Sequence, residues 1–219
     1  MSKDLLHVDH GWSVRLSASA AVAIAAIGAV MLVFAGEALA DALADCAAKG
    51  DPARRIAACG KVISGPSSTA DKARAYRIRG EARLSAGAGK DAVSDFSEAI
   101  KLDPADAASH GGRGQAKLTL KDLKGAIADL SEAIRLAPQS AYTRNARGHA
   151  HLAAGNAEAA AEDFSEAVRL DPKSANAYNN LGVALEQQGE FARARQAYEK
   201  ALELSPGSLY IQQNYDLFR

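Results

Sequence analysis

The sequence predicts an all-α protein made of stacked antiparallel helix hairpins. Almost the same ten residues occur four times, each copy 34 residues after the last, and the copies end at Pro104, Pro138, Pro172 and Pro206. Such self-similarity is typical of folds in which one structural unit is stacked on the next. The apolar residues are mostly Ala and Leu, and only 5% of the chain is aromatic, a composition that favours helices over strands.

Residues 1–40 differ in composition from the rest of the chain. Between residues 16 and 35 there is no charged side chain, and the tripeptide ALA follows at residues 38–40. This pattern is typical of a secretory signal peptide and predicts cleavage after Ala40. An apolar run of about twenty residues can also span a bilayer, so the alternative is an uncleaved membrane anchor. Either interpretation places the chain from Asp41 onward in the periplasm of a bacterial envelope or in the secreted fraction.

Residues 41–72 are predicted to form a degenerate helix hairpin and a linker. The second helix of this hairpin begins at Asp51, with Pro52 in its first turn, a position that proline favours. The stretch SGPSSTAD at residues 64–71 is rich in turn-forming residues and leads into the repeated units.

The two cysteines of the chain, Cys46 and Cys59, are predicted to form a disulfide within this hairpin. In three of the repeated units, a bulky second-helix residue lies nine residues after a turn glycine, and the first-helix residue that faces it lies four residues before that glycine. The same spacing from Gly50 gives Cys59 and Cys46, so the two thiols face each other. An oxidising compartment would preserve the bond. The alternative is a pair of free thiols packed as small apolar residues.

Four complete units follow, at residues 73–106, 107–140, 141–174 and 175–208. Each unit holds two helices, which in the first unit are expected near residues 72–86 and 90–102. The columns that recur at the 34-residue step are a glycine (Gly80, Gly114, Gly148, Gly182), two alanines (Ala92, Ala126, Ala160, Ala194 and Ala99, Ala133, Ala167, Ala201), a bulky residue (Phe96, Leu130, Phe164, Tyr198) and the proline that ends the second helix. Missing side chains at the glycine and the first alanine allow two helices to approach closely.

Residues 209–219 are predicted to form one further helix that caps the last unit. Leu209, Ile211 and Leu217 are expected to cover the apolar face of that unit, and the polar residues 212–214 are expected in solvent. The terminal units of repeat proteins need such a polar outer face to remain soluble.

The repeated columns resemble those of the tetratricopeptide repeat family, whose 34-residue pattern has Gly, Ala, Phe and Pro at these positions. The likeness covers residue 73 to about residue 207, as four full units. The Trp, Leu and Tyr positions of the family pattern depart from it in most units. The resemblance implies a right-handed superhelix of helix hairpins, with a concave groove lined mainly by the first helix of each unit.

The residues that face this implied groove follow from helix geometry. They lie six before, three before and one after the glycine of each first helix. The candidates for contact with a partner are Arg74, Arg77 and Glu81, then Gln115 beside Ala108 and Gly111, then Tyr142, Asn145 and His149, and finally Asn176 and Asn179 beside Val183. One end of the groove is charged, the middle is hollow, and the far end is rich in amides. Amides beside an aromatic ring suit an extended peptide, because they can bond its backbone.

A second pattern links the two helices of a unit. Arginine stands in three units where the family pattern has leucine, and an aspartate follows sixteen residues later: Arg79 and Asp95, Arg113 and Asp129, Arg147 and Asp163. In the fourth unit both are replaced, by Leu181 and Ala197. Because the two positions change together, the pattern predicts that they are in contact. The alternative is a set of independent surface charges.

The sequence contains no pattern that indicates catalysis, a cofactor or a metal site. GAGK at Gly87–Lys90 lacks the other residues of a phosphate-binding loop, and His149 and His151 are spaced to point in opposite directions on a helix. Basic and acidic residues balance at 26 each, which argues against a nucleic-acid partner. We therefore expect an exported, non-enzymatic scaffold that binds a protein or extended peptide and meets a membrane only through an uncleaved N-terminal segment. The alternatives are a self-associating component of an envelope complex, and an enzyme or ligand carrier.

Overall fold

Short turns separate a series of helices throughout the described residues, 40–218 of a computed structural model. Residues 40–47 are helical (α1). The helices that follow are α2 (Pro52–Ser64), α3 (Thr69–Ser85), α4 (Gly89–Leu102), α5 (Ala107–Thr119), α6 (Leu123–Leu136), α7 (Ala141–Ala153), α8 (Ala157–Leu170), α9 (Ala175–Gln187), α10 (Phe191–Leu204) and α11 (Leu209–Phe218). No strand occurs in this part of the chain, and the predicted all-α class is confirmed. Apart from Ala40, the predicted signal peptide lies outside the described residues.

The helices pack as consecutive hairpins, each of which covers its neighbour. The pairs α3 with α4, α5 with α6, α7 with α8 and α9 with α10 form the units, and each second helix also packs against the first helix of the next unit. First helices additionally contact one another along one side of the stack, α3 with α5, α5 with α7 and α9 with α11. Because neighbouring first helices touch one another, they lie on the inside of the curve of the stack and line its concave side.

The bulky residue of each second helix lies at the centre of its unit. Phe96, Leu130, Phe164 and Tyr198 are at most 1% exposed. Each packs against the glycine of the first helix: a Cβ added to Gly148 would lie 2.7 Å from Cε1 of Phe164. Carbon atoms do not approach so closely, so a side chain here would displace the ring. The low helix propensity of glycine is therefore offset by the packing that it permits.

The turn between the two helices of a unit requires left-handed backbone. Gly87, Gly155 and Gly189 have φ angles of 79°, 78° and 77°, and Lys121 takes the same place in the second unit with a φ of 63°. Left-handed backbone costs about 1–2 kcal/mol for a residue with a Cβ. The turn of the second unit is therefore the strained one.

The predicted contact between arginine and aspartate is confirmed in all three units. Arg113 donates from Nε and Nη2 to the two carboxylate oxygens of Asp129, at 2.8 and 2.7 Å. The Arg79–Asp95 and Arg147–Asp163 pairs have the same two-bond geometry. Planar, two-bond pairing fixes the orientation of both side chains as well as their distance. Each pair thereby joins the first helix of a unit to the second.

Two of these arginines also reach the preceding unit. Nη1 of Arg113 donates to Oγ of Ser97 at 3.3 Å, and Nη1 of Arg147 donates to Oγ of Ser131 at 3.0 Å. The two serines occupy the same position of consecutive second helices. The arginines therefore hold three helices together, two within their own unit and one in the unit before.

The N-terminal hairpin contains the predicted disulfide. Cys46 of α1 and Cys59 of α2 are bonded, with their Cα atoms 4.7 Å apart. Both are buried, in an apolar cluster that includes Val62 of α2 and Ala75 and Ile78 of α3. The disulfide therefore joins α1 to α2 inside the small core by which this hairpin rests on the first unit.

The C-terminal helix α11 covers the fourth unit. The predictions that Leu209 and Leu217 take part in this contact were wrong. Leu209 and Leu217 are 78% and 87% exposed. Ile211 is buried as predicted, and Tyr215 and Phe218 pack against the apolar cluster of α9 and α10. Residues 211, 215 and 218 are spaced four and three apart and share one face of the helix, whereas the leucines lie on other faces.

Among residues 40–218, no helix is both long and apolar enough to cross a membrane.

Candidate functional site

The groove is the surface formed by the first helices of the units and by α11. Arg74, Ala108, Tyr142 and Asn176 occupy the same position in four consecutive units, and all four are exposed on it. Tyr142 is the most conspicuous, because 72% of its side chain is exposed. Regular stacking therefore brings one residue from each unit into a single line along the groove.

A cavity of about 620 Å³ opens in the groove at the second unit, where the sequence predicted a hollow. Helix α5 contributes Ala107, Ala108, Gly111, Gly112 and Gln115, so apart from Gln115 it presents nothing larger than a methyl group to the cavity. Leu84 and Tyr142, from the units before and after, line it as well. The cavity therefore exists because the second unit lacks the side chains that fill the groove in its neighbours.

Phe96 forms the floor of the cavity. Its ring leaves no room for a side chain at one of the two adjacent glycines, Gly111 and Gly112. A Cβ added to Gly112 would lie 2.4 Å from Cζ of Phe96, whereas a Cβ on Gly111 would meet only the Cβ of Ala133, at 3.8 Å. Gly112 is thus needed for packing, and the space above Gly111 is open. Sequence reasoning missed Phe96 and Gly112 as cavity residues, although the GG pair occurs in this unit alone among the four.

The charged end of the groove is tied together by ion pairs. Arg77 donates from Nη1 to Glu81 at 2.6 Å, and its Nε lies 3.3 Å from Asp106. Arg55 of the N-terminal hairpin lies 3.6 Å from Glu81. Arg77 and Glu81, both predicted partner contacts, are therefore already paired with residues of their own chain. Arg74 is exposed and has no ion pair within the described part of the chain.

The amide-rich end is a hydrogen-bonded ladder between units. Asn180 donates from Nδ2 to Asn145 at 2.9 Å and lies 3.0 Å from Nε2 of His149. Asn214 of α11 donates to Oδ1 of Asn179 at 2.9 Å. Asn179 is fully buried, so its predicted role in partner contact was wrong: the amide is used to attach the cap. Asn214, predicted to lie in solvent, is half-buried for the same reason.

The remaining predicted residues lie beside Tyr142. Asn176 is exposed, and with Tyr142 and Asn145 it lines a second cavity of about 340 Å³. Tyr142 therefore stands between two cavities of the groove. Gln115 is half-buried at the edge of the central one.

His149 packs edge-on against Phe164, with ring centroids 5.3 Å apart. The residue is exposed at the groove, but partial desolvation of its ring lowers the pKa of His149 below the ordinary value of 6.5, so the neutral form predominates at pH 7. Within residues 40–218, no group of three or more His, Cys, Asp or Glu side chains is placed to hold a metal ion.

Several solved structures are similar to this chain. A crystal structure of MamA is 24% identical, with a TM-score of 0.66, and covers 78% of this chain and 93% of that one. MamA from Desulfovibrio magneticus RS-1 is 20% identical, with a TM-score of 0.70, and covers 80% and 97%. YrrB, a TPR protein with an unusual peptide-binding site, is 22% identical, with a TM-score of 0.64, and covers 75% and 84%. These likenesses concern the fold.

A comparison with curated proteins finds no match. The family model of the tetratricopeptide repeat matches residues 79–141 and 145–208, which together make up more than half of the chain. This match agrees with the stacked hairpins, the glycine and aromatic columns and the 34-residue step. The protein therefore belongs to the tetratricopeptide repeat family.

Proposed function

We propose that this protein is an exported scaffold that binds an extended segment of a partner protein in its groove. Tetratricopeptide repeat proteins mediate interactions between proteins. One structural relative, the first TPR of Spaghetti (RPAP3), has been solved with an HSP90 peptide, and it is 20% identical over 51% of this chain with a TM-score of 0.50. The observation that carries the proposal is the central cavity beside the exposed ring of Tyr142.

The size and placement of this cavity support binding rather than packing. Its volume of about 620 Å³ lies within the range of roughly 300–1,000 Å³ that ligand pockets have. Its lining comes from three consecutive units, so an occupant would touch all of them. An aromatic ring as exposed as that of Tyr142 offers a large apolar area with little conformational freedom to lose, a property that favours binding surfaces.

Export is supported by the disulfide and by the apolar leader. Disulfides persist in oxidising compartments and are rare in the cytosol. The buried bond between Cys46 and Cys59 suits the periplasm or the extracellular medium. N-terminal sequencing of the protein from its native host is expected to return a mature chain that begins at Asp41. A start before Ala35 would leave only the membrane-anchored form.

Binding in the groove is tested by crosslinking and capture from intact cell envelopes, followed by mass spectrometry. Ala108→Arg places a charge at the mouth of the central cavity, on an exposed position. We expect recovery of the main crosslinked partner to fall about tenfold or more, because an unpaired charge would have to be desolvated. Ala128→Arg is the matched control, since Ala128 is exposed on α6 of the same unit, outside the cavity.

The outcome separates the proposal from the alternatives. Equal recovery with both variants would reject the groove as the binding site. A change in oligomer size with Ala108→Arg, without loss of any partner, would favour a self-associating structural component instead.

A further inference from the structure

We propose that the groove selects an uncharged segment and seats one bulky apolar side chain of it in the central cavity, between Phe96 and Tyr142. The inference rests on the proposed function and adds the chemistry of the partner. It follows from two observations, the absence of charge along most of the groove and the apolar lining of the cavity.

At the positions predicted to face the groove, charge is absent from the second unit to the cap. These three positions of α5, α7, α9 and α11 are occupied by twelve residues, of which Asn179 is buried. They are Ala108, Gly111, Gln115, Tyr142, Asn145, His149, Asn176, Asn179, Val183, Tyr210, Gln213 and Leu217. None carries a charge at pH 7, although 24% of the whole chain is charged. Cap residues Tyr210 and Leu217 continue the line because they follow Asn176 and Val183 by 34 residues.

Exposed apolar groups accompany this lack of charge. Tyr142, Tyr210 and Leu217 are 72%, 58% and 87% exposed. The polar groups between them are amides and the ring of His149, and the ladder from Asn145 to Asn214 already uses several of their hydrogen-bonding groups within the chain. Among the described residues, Glu81 is the one charged side chain that lines the central cavity, and Arg77 and Arg55 already pair with it. A charged side chain placed in this cavity would therefore lose water without gaining a free opposite charge, which is costly. The surface therefore disfavours charged segments and suits apolar ones.

The central cavity is built to take one large side chain. Phe96 closes its floor, and the backbone of Gly111 and Gly112 forms one wall. Leu84 and the ring of Tyr142 stand on either side. Polar residues also line the cavity (Glu81, Ser85, Gln115, Ser140 and Thr143), but most of its accessible lining is carbon, which an aromatic or leucine side chain would meet. A ring could also make the edge-on or offset contact that the exposed ring of Tyr142 offers. An alanine would leave most of the volume unfilled.

The inference is tested with capped peptides of the form acetyl-Ser-Asn-Ala-X-Ala-Asn-Ser-amide, in which X is Phe, Leu, Ala, Asp or Lys. Binding is followed by NMR on ¹⁵N-labelled protein isolated from its native host, through the backbone amide signals of Gly112 and Gln115, which line the cavity and are present in every variant. We expect the peptides with Phe and Leu to bind about tenfold or more tightly than the one with Ala, because they bury a large apolar side chain. The peptides with Asp and Lys are expected to bind more weakly than the one with Ala.

Two variants locate the effect in the cavity. Gly111→Leu fills the open space above this helix, where a Cβ meets only Ala133. It is expected to abolish the preference for Phe and Leu over Ala. Ala128→Leu, on the exposed face of α6, is the control and is expected to retain that preference. Thermal unfolding of both variants shows that they remain folded. If Gly111→Leu unfolds the protein, Tyr142→Ser removes the exposed wall instead, with the same expectation.

Equal binding of all five peptides, tighter binding of those with Asp or Lys, or an unchanged preference in the cavity-filled variant would each overturn the inference. The inference would also be overturned if none of the five peptides bound. The proposed function fails separately, when Ala108→Arg leaves capture of the native partner unchanged. Capture that is lost in Ala108→Arg while the peptides show no preference would therefore retain groove binding and reject only the apolar anchor.

Discussion

Asp129 is almost withdrawn from solvent, yet it faces two cations. Arg113 holds both of its oxygens, and Nζ of Lys117 lies 2.8 Å from one of them. Burial alone would raise the pKa of Asp129, but the hydrogen bonds and charges of Arg113 and Lys117 outweigh it, so the pKa lies below the ordinary value of 3.8. The carboxylate is therefore ionised throughout the physiological range, and its partners matter to the stability of the unit.

The interaction free energy of Arg113 and Asp129 can be measured by replacing them with the residues that the fourth unit has at the two positions, Leu and Ala. We expect both single variants to destabilise the protein: Arg113→Leu leaves Asp129 with Lys117 alone, and Asp129→Ala leaves both cations without their carboxylate. In the double variant the loss should be smaller than the sum, by a coupling free energy of about 0.5–3 kcal/mol. Urea denaturation of the four proteins measures it. Additive losses would mean that the two charges act independently.

The pH dependence gives a second readout of the same pair. Because the pKa of Asp129 is lowered in the folded state, its stabilising contribution is complete above about pH 4 and is lost as pH falls through the folded value. The difference in unfolding free energy between the wild type and Asp129→Asn should therefore stay constant from pH 7 to about pH 5 and shrink below about pH 4. A difference that changed between pH 7 and pH 5 would point to another group.

Lys121 offers a stabilising substitution, because it has a φ of 63° where the other units have glycine. Lys121→Gly removes the steric cost of the left-handed backbone, partly offset by the greater freedom of glycine in the unfolded chain. We expect the variant to be more stable by up to about 1 kcal/mol in thermal or urea unfolding. The reciprocal change, Gly155→Lys, should destabilise the third unit by a similar amount. A less stable Lys121→Gly variant would mean that the lysine side chain contributes more than its backbone costs.

Helix α5 is the element that shapes the binding groove, and its two adjacent glycines have opposite roles. Gly111→Ala adds a methyl group to open space and raises helix propensity, so it should be neutral or stabilising by up to about 1 kcal/mol. Gly112→Ala forces its methyl group against the buried ring of Phe96 and should be less stable than Gly111→Ala by about 1–3 kcal/mol. Thermal unfolding of the two variants checks the order. Equal stability would show that Phe96 can move into the cavity at little cost.

The N-terminal hairpin has little core of its own, so its disulfide should be important for its stability. Cys46 and Cys59 are 13 residues apart, and closing a loop of that length adds roughly 3 kcal/mol in the chain-entropy model. We expect Cys46→Ala with Cys59→Ala, or reduction of the wild type, to lower the stability of this hairpin by up to that amount. Reductant should have no effect on the double variant. Two titratable thiols in the denatured, unreduced protein would contradict the bond.

Features that depend on residues within one repeat unit could be predicted from the sequence, whereas features that depend on contacts with another unit or the cap could not. The 34-residue columns specified the units, and the joint change of Arg113 and Asp129 with their equivalents in the fourth unit specified an ion pair. The burial of Asn179 could not be predicted in this way, because its partner Asn214 lies 35 residues away in a cap whose register was unknown. The central cavity was foreseen only as a hollow, since its floor, Phe96, comes from the preceding unit.

At the scale of the whole molecule, the array depends on its ends. Removal of residues 208–219 would expose the apolar cluster around Leu185 and Tyr198, which Tyr215 and Phe218 now cover. We expect the truncated protein to unfold at a lower temperature and to associate, because an uncapped repeat presents an apolar face to water. Differential scanning calorimetry and light scattering measure both effects.

The exposed residue Leu217 provides the control for this truncation. Leu217→Ser in the full-length protein should change stability by less than about 0.5 kcal/mol, as is usual for surface substitutions. A truncated protein as stable as the wild type would show that the fourth unit does not need its cap.

The hydrogen bonds that Arg113 and Arg147 donate to a serine of the preceding unit have a consequence for how the number of units could change. Ser165 holds the position of Ser97 and Ser131, but the residue that follows it by sixteen is a leucine. A duplicate of the third unit inserted after residue 174 would place its arginine opposite Ser165 and bring its own aspartate. Duplication could thus lengthen the binding surface by whole units without leaving a guanidinium unpaired, and the central cavity upstream would keep its lining.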